Sequence, residues 1–191
     1  MTHDQIDQPS DDGARDIHFL KTYTVFNVEQ IEGQPAQYRA PESPRLDVSA
    51  RIARAERFFG ATGATLGHGG DRAFYRPSTD SIVMPRFETF RDAESYYVTL
   101  AHETTHWTVH ESRMARDFGT TRSGSEGYAI EELVAELGAA FLCADLDLTL
   151  EPREDHAADI AAWLDVLKTD NRAIFAAASH AQRAADLING L

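Results

Sequence analysis

The chain has 191 residues, 42% of them hydrophobic, enough for one domain with a real core or for a domain with tails. Its net charge of −13 argues against an autonomous nucleic-acid binder, because gripping phosphates takes a basic face. The single cysteine, Cys143, excludes an internal disulfide and fits a reducing cytoplasm; no secretion signal is visible, and no apolar run approaches the roughly 20 residues that cross a bilayer.

Residues 1–18 are polar and acidic, so a disordered tail is expected there, with a domain over 19–191. Phe19 to Val28 is rich in aromatic and β-branched residues and predicts a strand. Pro35, Pro41 and Pro44 mark an extended connector. A helix is expected from about Asp47 to Phe59, with Asp47 as its N-cap, Gly60 just past its end, and Val48, Ile52, Ala55 and Phe59 as its apolar stripe. Short strands follow at Thr62–Leu66, Ala73–Tyr75 and Ser81–Met84, the last two joined as a hairpin by the turn residues 77–80.

Asp92 can cap the next helix, which the pattern carries to about His110 with Tyr97, Leu100, Ala101 and Trp107 facing the core. A polar, glycine-containing loop over 119–125 is expected to be mobile. The helix from about Glu126 to Ala144, with Ser125 as candidate cap, is apolar almost all round and therefore reads as buried. Two alanine-rich amphipathic helices end the chain, at about His156–Lys168 and Asp170–Ile188. Ile160, Trp163, Leu164 and Leu167 mark the apolar face of the first; Ile174, Phe175, Ala178, Ala181, Ala185 and Ile188 mark that of the second. The whole is an α+β pattern: a small antiparallel or mixed sheet packed on helices.

The chemistry centres on His102-Glu103-Thr104-Thr105-His106, an H-E-x-x-H sequence. Residues four apart on a helix share a face and stand about 6 Å apart along the axis, so the two imidazoles can grip one ion. Glu103 sits beside that face, placed to take a proton from a water on the metal. The same pentapeptide occurs on ordinary solvated helices, so the surroundings decide. The deciding neighbour is the buried helix that carries Glu132 and Glu136. Two carboxylates four apart repel unless something positive is near, and a metal ion and a histidine N–H would satisfy both.

A catalytic zinc site takes three protein ligands. His102 and His106 supply two, and Glu132 is the best third. Glu136 then accepts the free N–H of a ligating histidine, with the exchanged roles of Glu132 and Glu136 as the alternative. His110 extends the histidine row but stands about 12 Å from His102 along a continuous helix, so it can join only if the helix breaks. His156, at a helix start, reads as structural, and Glu131 as solvated. Tyr128, one turn before Glu132, is a candidate donor to an oxyanion as well as a packing residue. Zn2+ follows from the ligand types, with Mn2+ or Co2+ as replacements.

Four stretches resemble ArdC-type antirestriction proteins. They are Tyr23 to Gln30, Ala93 to Tyr97, His102 to Thr108 and Glu131 to Phe141, with Trp163 to Lys168 and Arg172 to Phe175 fitting the same pattern. The likeness is to the zincin-like metallopeptidase domain at the C-terminal end of those proteins, found also in plasmid primases of the TraC type. It covers about residues 19–188. It implies a zincin fold, a metal held by the two histidines and an acidic residue in a gluzincin-like arrangement, and plasmid or phage biology that protects incoming DNA from restriction. ArdC-type proteins carry a single-stranded-DNA-binding domain ahead of this stretch, whereas only an acidic segment precedes it here. The expected activity is therefore a zinc-dependent peptidase acting on a protein or peptide. The competing expectations are a non-catalytic metal-stabilised module that binds a protein or mimics DNA charge, and a fragment of a single-stranded-DNA-binding protein.

Overall fold

A computed structural model describes residues 33, 35, 48–119, 126–148 and 156–191. All the elements below belong to one compact unit, Arg45–Leu191. The expectations for the acidic tail, the strand at 19–28, the Asp47 and Ser125 caps and the mobile loop lie outside the described residues.

Helix α1 is Val48–Ala61. It buries Ala55 and Phe59, as its stripe predicts. It runs on through Gly60, contrary to expectation. The stop comes later, where the Thr62 hydroxyl donates to the Phe59 carbonyl and Gly63 takes a φ of +71°.

Three short strands follow: β1 at Thr65–His68, β2 at Phe74–Arg76 and β3 at Ser81–Met84. They form a mixed sheet in the order β1-β3-β2, with β1 parallel to β3 and β2 antiparallel to it. Only β3, the centre strand, alternates cleanly, with Ile82 and Met84 buried. The β2–β3 turn is a short 3-10 stretch, Pro77–Thr79, closed by Asp80 at φ 45°. Left-handed backbone is tolerable for aspartate, and here its carboxylate is held by the Arg113 guanidinium and the Tyr75 hydroxyl. Arg113 also donates to the Trp107 carbonyl and lies over the Trp107 ring, so the hairpin is tied to the end of the next helix.

That helix, α2, is Ala93–Trp107. Asp92 caps it by accepting from the Ser95 backbone N–H at 2.7 Å, as expected. It ends three residues earlier than the pattern predicts. Beyond it the Thr105, His106 and Trp107 carbonyls accept from N–H groups three residues on, in tighter turns, and side chains share two of them: Thr105 with Arg116 and the Thr108 hydroxyl, Trp107 with Arg113. His110 therefore falls in a turn, its Nδ1 2.8 Å from the Ser112 hydroxyl.

Helix α3 is Glu126–Leu146, with α4 at His156–Thr169 and α5 at Ala173–Asn189. The main core joins Tyr97, Leu100, Ala101 and Trp107 of α2 to Leu142, Cys143 and Leu146 of α3, with Ile82 and Met84 beneath and Ile188 of α5 at one side. Burying each such large side chain contributes about 1.5–3 kcal/mol. On the far side of α3, Leu133 and Val134 meet Ala177 and Ala181 of α5. Helix α3 is thus covered by α2 on one side and α5 on another, which explains its all-round apolarity. The expected faces of α4 and α5 are partly wrong. Leu164 and Phe175 are exposed, and the stripe α5 buries is Ala177, Ala181, Ala184, Ala185 and Ile188, whose four alanines let helices approach closely. No helix among the described residues is long and apolar enough to cross a membrane.

Candidate metal centre

Two helices build the centre. In α2, His102 and Glu103 are buried, and His106 is nearly so. Residues Thr104 and Thr105 between them are also buried, each hydroxyl donating to the carbonyl four residues back, Leu100 and Ala101. Opposite stands α3, brought close by Gly138. A Cβ at that position would lie 2.5 Å from Thr105 Cγ2 and 2.7 Å from Thr105 Oγ1. Only glycine lets the two backbones approach this far.

The two imidazoles meet edge to face, with Nε2 of His102 3.1 Å from Nε2 of His106. Glu132 straddles the pair: one carboxylate oxygen is 3.5 Å from His102 Nε2, the other 3.5 Å from His106 Nε2. Among the described residues, His102, His106 and Glu132 form the group whose ligand atoms all lie within 4.8 Å of one another. Glu136, one turn on, places an oxygen 2.9 Å from His102 Nδ1, at ion-pair distance.

Glu131 is not solvated as its pattern position predicts. It reaches His106 Nδ1 at 3.2 Å and pairs with Arg116 at 2.7 Å. Each histidine therefore has Nε2 turned to the centre and Nδ1 turned to its own glutamate. Glu131 and Arg116 are the residues that sequence reasoning missed. The signal for Glu131 was its neighbour Glu132; Arg116 comes from a loop whose path no local pattern encodes.

Tyr128 lies on α3 one turn ahead of Glu132 and is half-buried. His110 is outside the group, turned toward Ser112. His156 opens α4, and its side chain is not among those described.

The electrostatics call for positive charge at this point. Burial opposes charging His106, but the Glu131 and Glu132 carboxylates outweigh it and push its pKa up to about 10. Burial likewise works against His102, and Glu132 and Glu136 still carry its pKa upward. Burial favours neutral carboxyls at Glu131 and Glu132, yet His106 with Arg116 holds Glu131 low, and the two histidines hold Glu132 well below the usual range. The donor set suits a divalent ion. Two nitrogens on one tetrahedral zinc, at 2.0–2.1 Å each, stand about 3.3 Å apart, close to the Nε2 separation here.

A family model described as zincin-like metallopeptidase matches residues 53–180, two thirds of the chain. The chain belongs to the zincin-like metallopeptidase family. The H-E-x-x-H pair of this zincin-like domain thus stands on the helix and beside the carboxylates just described, and fold and donor set together point to a divalent metal. The chain is 50% identical over 168 residues to the uncharacterized protein y4eC of Sinorhizobium fredii, which covers 88% of this chain and 53% of that one. It is 44% identical over 166 residues to a DNA primase TraC of Escherichia coli, covering 86% of this chain and 15% of the primase. Crystal structures of the antirestriction ArdC protein from R388 plasmid, metal-free and Mn(II)-bound, superpose with TM-scores of 0.66 and 0.68 at 45% identity. They cover 87% and 90% of this chain, and 59% and 62% of that one. The chain therefore spans about half the length of its Sinorhizobium relative and a small part of the primase. The zincin-like α+β fold and the likeness to ArdC expected from the sequence both hold.

Proposed function

We propose that this zincin-like domain is a zinc-dependent peptidase that serves plasmid or phage antirestriction. The observation that carries the reading is the convergence of His102, His106 and Glu132 beside a buried Glu103. His102, His106 and Glu132 hold the ion, and Glu136 and Glu131 fix the two imidazoles by their Nδ1 atoms. Zinc is favoured by the mixed imidazole and carboxylate donors; manganese is the alternative, given the Mn(II)-bound ArdC. When bound, the ion supplies Lewis acidity to a water and to the scissile carbonyl. Glu103, whose charge lies close enough to both histidines to favour their protonated forms, is the general base. It takes the proton of the attacking water and delivers it to the leaving amine as the C–N bond breaks. Tyr128 donates to the developing oxyanion. The partner is a protein or peptide held near α2.

A second reading has a specific observation behind it: the relatives are named for antirestriction and priming, not for proteolysis. In it the ion is structural and the acidic chain, at −13, binds a basic partner. One experiment separates the two. Metal content is measured for wild type and His106→Ala, and cleavage of an unstructured protein for wild type and Glu103→Ala. The peptidase reading expects about one zinc lost in the histidine variant, and cleavage lost in the glutamate variant with zinc retained. Antirestriction that survives Glu103→Ala favours the structural reading. Wild type that takes up no zinc sinks the site assignment.

A further inference from the structure

We propose that Arg116 is a positioning residue of the metal centre: it clamps Glu131 onto His106 Nδ1 and so keeps a neighbouring carboxylate out of the ligand set. The inference rests on the reading of His102, His106 and Glu132 as metal ligands.

The problem it solves is one of crowding. Helix α3 presents three glutamates, 131, 132 and 136, to two histidines. Any of the three is chemically able to bind a divalent ion. Glu136 faces His102 Nδ1 and Glu132 lies between the two Nε2 atoms. Glu131 is adjacent to Glu132, and its oxygen lies 3.2 Å from His106 Nδ1, on the side of the ring away from the centre; released from that contact, it is a third carboxylate free to turn on the same ion.

Arg116 supplies the restraint. Its side chain is 1% exposed. An arginine has five N–H donors in a rigid fork, and here every one has an acceptor. Nε donates to Glu131 Oε2 at 3.1 Å and one terminal nitrogen to Glu131 Oε1 at 2.7 Å, a two-pronged grip on the carboxylate. That same nitrogen reaches the Thr105 carbonyl at 3.1 Å. The other terminal nitrogen donates to the Thr108 hydroxyl at 2.6 Å and the Met114 sulfur at 3.3 Å. The guanidinium is therefore anchored to the end of α2 and holds Glu131 from there. Glu131 Oε1 is left to accept from His106 Nδ1, the contact that turns His106 Nε2 toward the centre.

The backbone is bent to deliver this residue. Ala115, immediately before it, has a φ of +46°, a conformation costly for any residue with a Cβ. The turn behind it is pinned by Ala115 N–H to the His110 carbonyl and Met114 N–H to the Thr108 carbonyl.

The test is zinc affinity, measured by chelator competition on protein shown to be folded by circular dichroism. Arg116→Met and Glu131→Gln are each expected to raise the Kd roughly 10–100-fold. The double variant should be no worse than the poorer single, because the two act as one unit. Arg116→Lys keeps the charge and loses the fork, and is expected to fall between wild type and Arg116→Met. It and Glu131→Gln carry the test if Arg116→Met does not fold. A merely structural arginine lowers the melting temperature and leaves the Kd of the folded protein alone. A Kd within twofold of wild type in Glu131→Gln or Arg116→Lys, or losses that multiply in the double variant, overturns the proposal while leaving the metal centre standing. Wild type without His106-dependent zinc binding overturns both.

Discussion

Replacing Gly138 by alanine tests how the centre is assembled. In an ordinary helix interior the change is stabilising, by about 0.8–1 kcal/mol of helix propensity. Here the new Cβ meets Thr105 at 2.5, 2.7 and 3.2 Å, against the roughly 3.5–4.0 Å of ordinary carbon contacts. Thr105 cannot step aside: it is fully buried and its hydroxyl is engaged with the Ala101 carbonyl. Helix α3 must recede by about an ångström or carry the strain. Overpacking of this kind costs about 1–3 kcal/mol, so after the propensity gain the net expectation is a loss of about 0–2 kcal/mol. The retreat moves Glu132 away from both histidines, and ligand distances in a metal site are held to about 0.2 Å. Zinc affinity should therefore fall at least roughly tenfold. Urea denaturation gives the first number and chelator competition the second. Adding Thr105→Ala removes the two closest atoms and leaves only the 3.2 Å contact, so it should recover most of the affinity. The reasoning is refuted if Gly138→Ala gains stability and binds zinc as wild type does.

Asp92→Ala should cost about 1 kcal/mol at pH 7, the usual worth of an N-cap. The Ser95 hydroxyl and backbone N–H, outweighing burial, hold the Asp92 pKa at about 2, below its ordinary 3.8. Its contribution is therefore present above about pH 4 and lost as the pH falls through 2; urea midpoints of the two proteins should draw together over that window, and a gap as wide at pH 2 as at pH 7 contradicts the assignment. Cys143 is fully buried in the main core, and burial pushes its thiol up to about 12. A thiol-specific reagent at pH 8 should leave it untouched in native protein and titrate one thiol in urea; rapid native labelling would show that the α2–α3 core opens.

What the sequence revealed is what local periodicity encodes. Alternation marked β3, an aspartate before a helical run marked the start of α2, and spacing of four put His102 beside His106 and Glu132 beside Glu136. The inference that buried carboxylates on α3 need a positive partner led to their proximity to the histidines. The rest depends on chain ends meeting across space. At the end of α2, Arg113 and Arg116 return from later in the chain to its carbonyls, and nothing in 107–110 itself signals a stop. Glu131 read as solvated because its cation arrives from fifteen residues away in a loop. Phe175 fitted a helical period and is nonetheless exposed, because α5 buries an alanine stripe instead; Leu164 of α4 fitted its period and is exposed as well.

The two positions that H-E-x-x-H leaves open are not free in this chain. Thr105 is where the separate constraints on the centre meet. Its side chain lies against Gly138 and so limits how near α3 comes. Its carbonyl receives Arg116, the residue that grips Glu131, and also the Thr108 hydroxyl that closes the helix. A larger residue at 105 pushes the carboxylates of α3 away from both histidines. A smaller one loses the contact that fixes the spacing between the helices. The distance between the histidine helix and the glutamate helix is thus set from inside the motif, by a threonine outside the candidate ligand group.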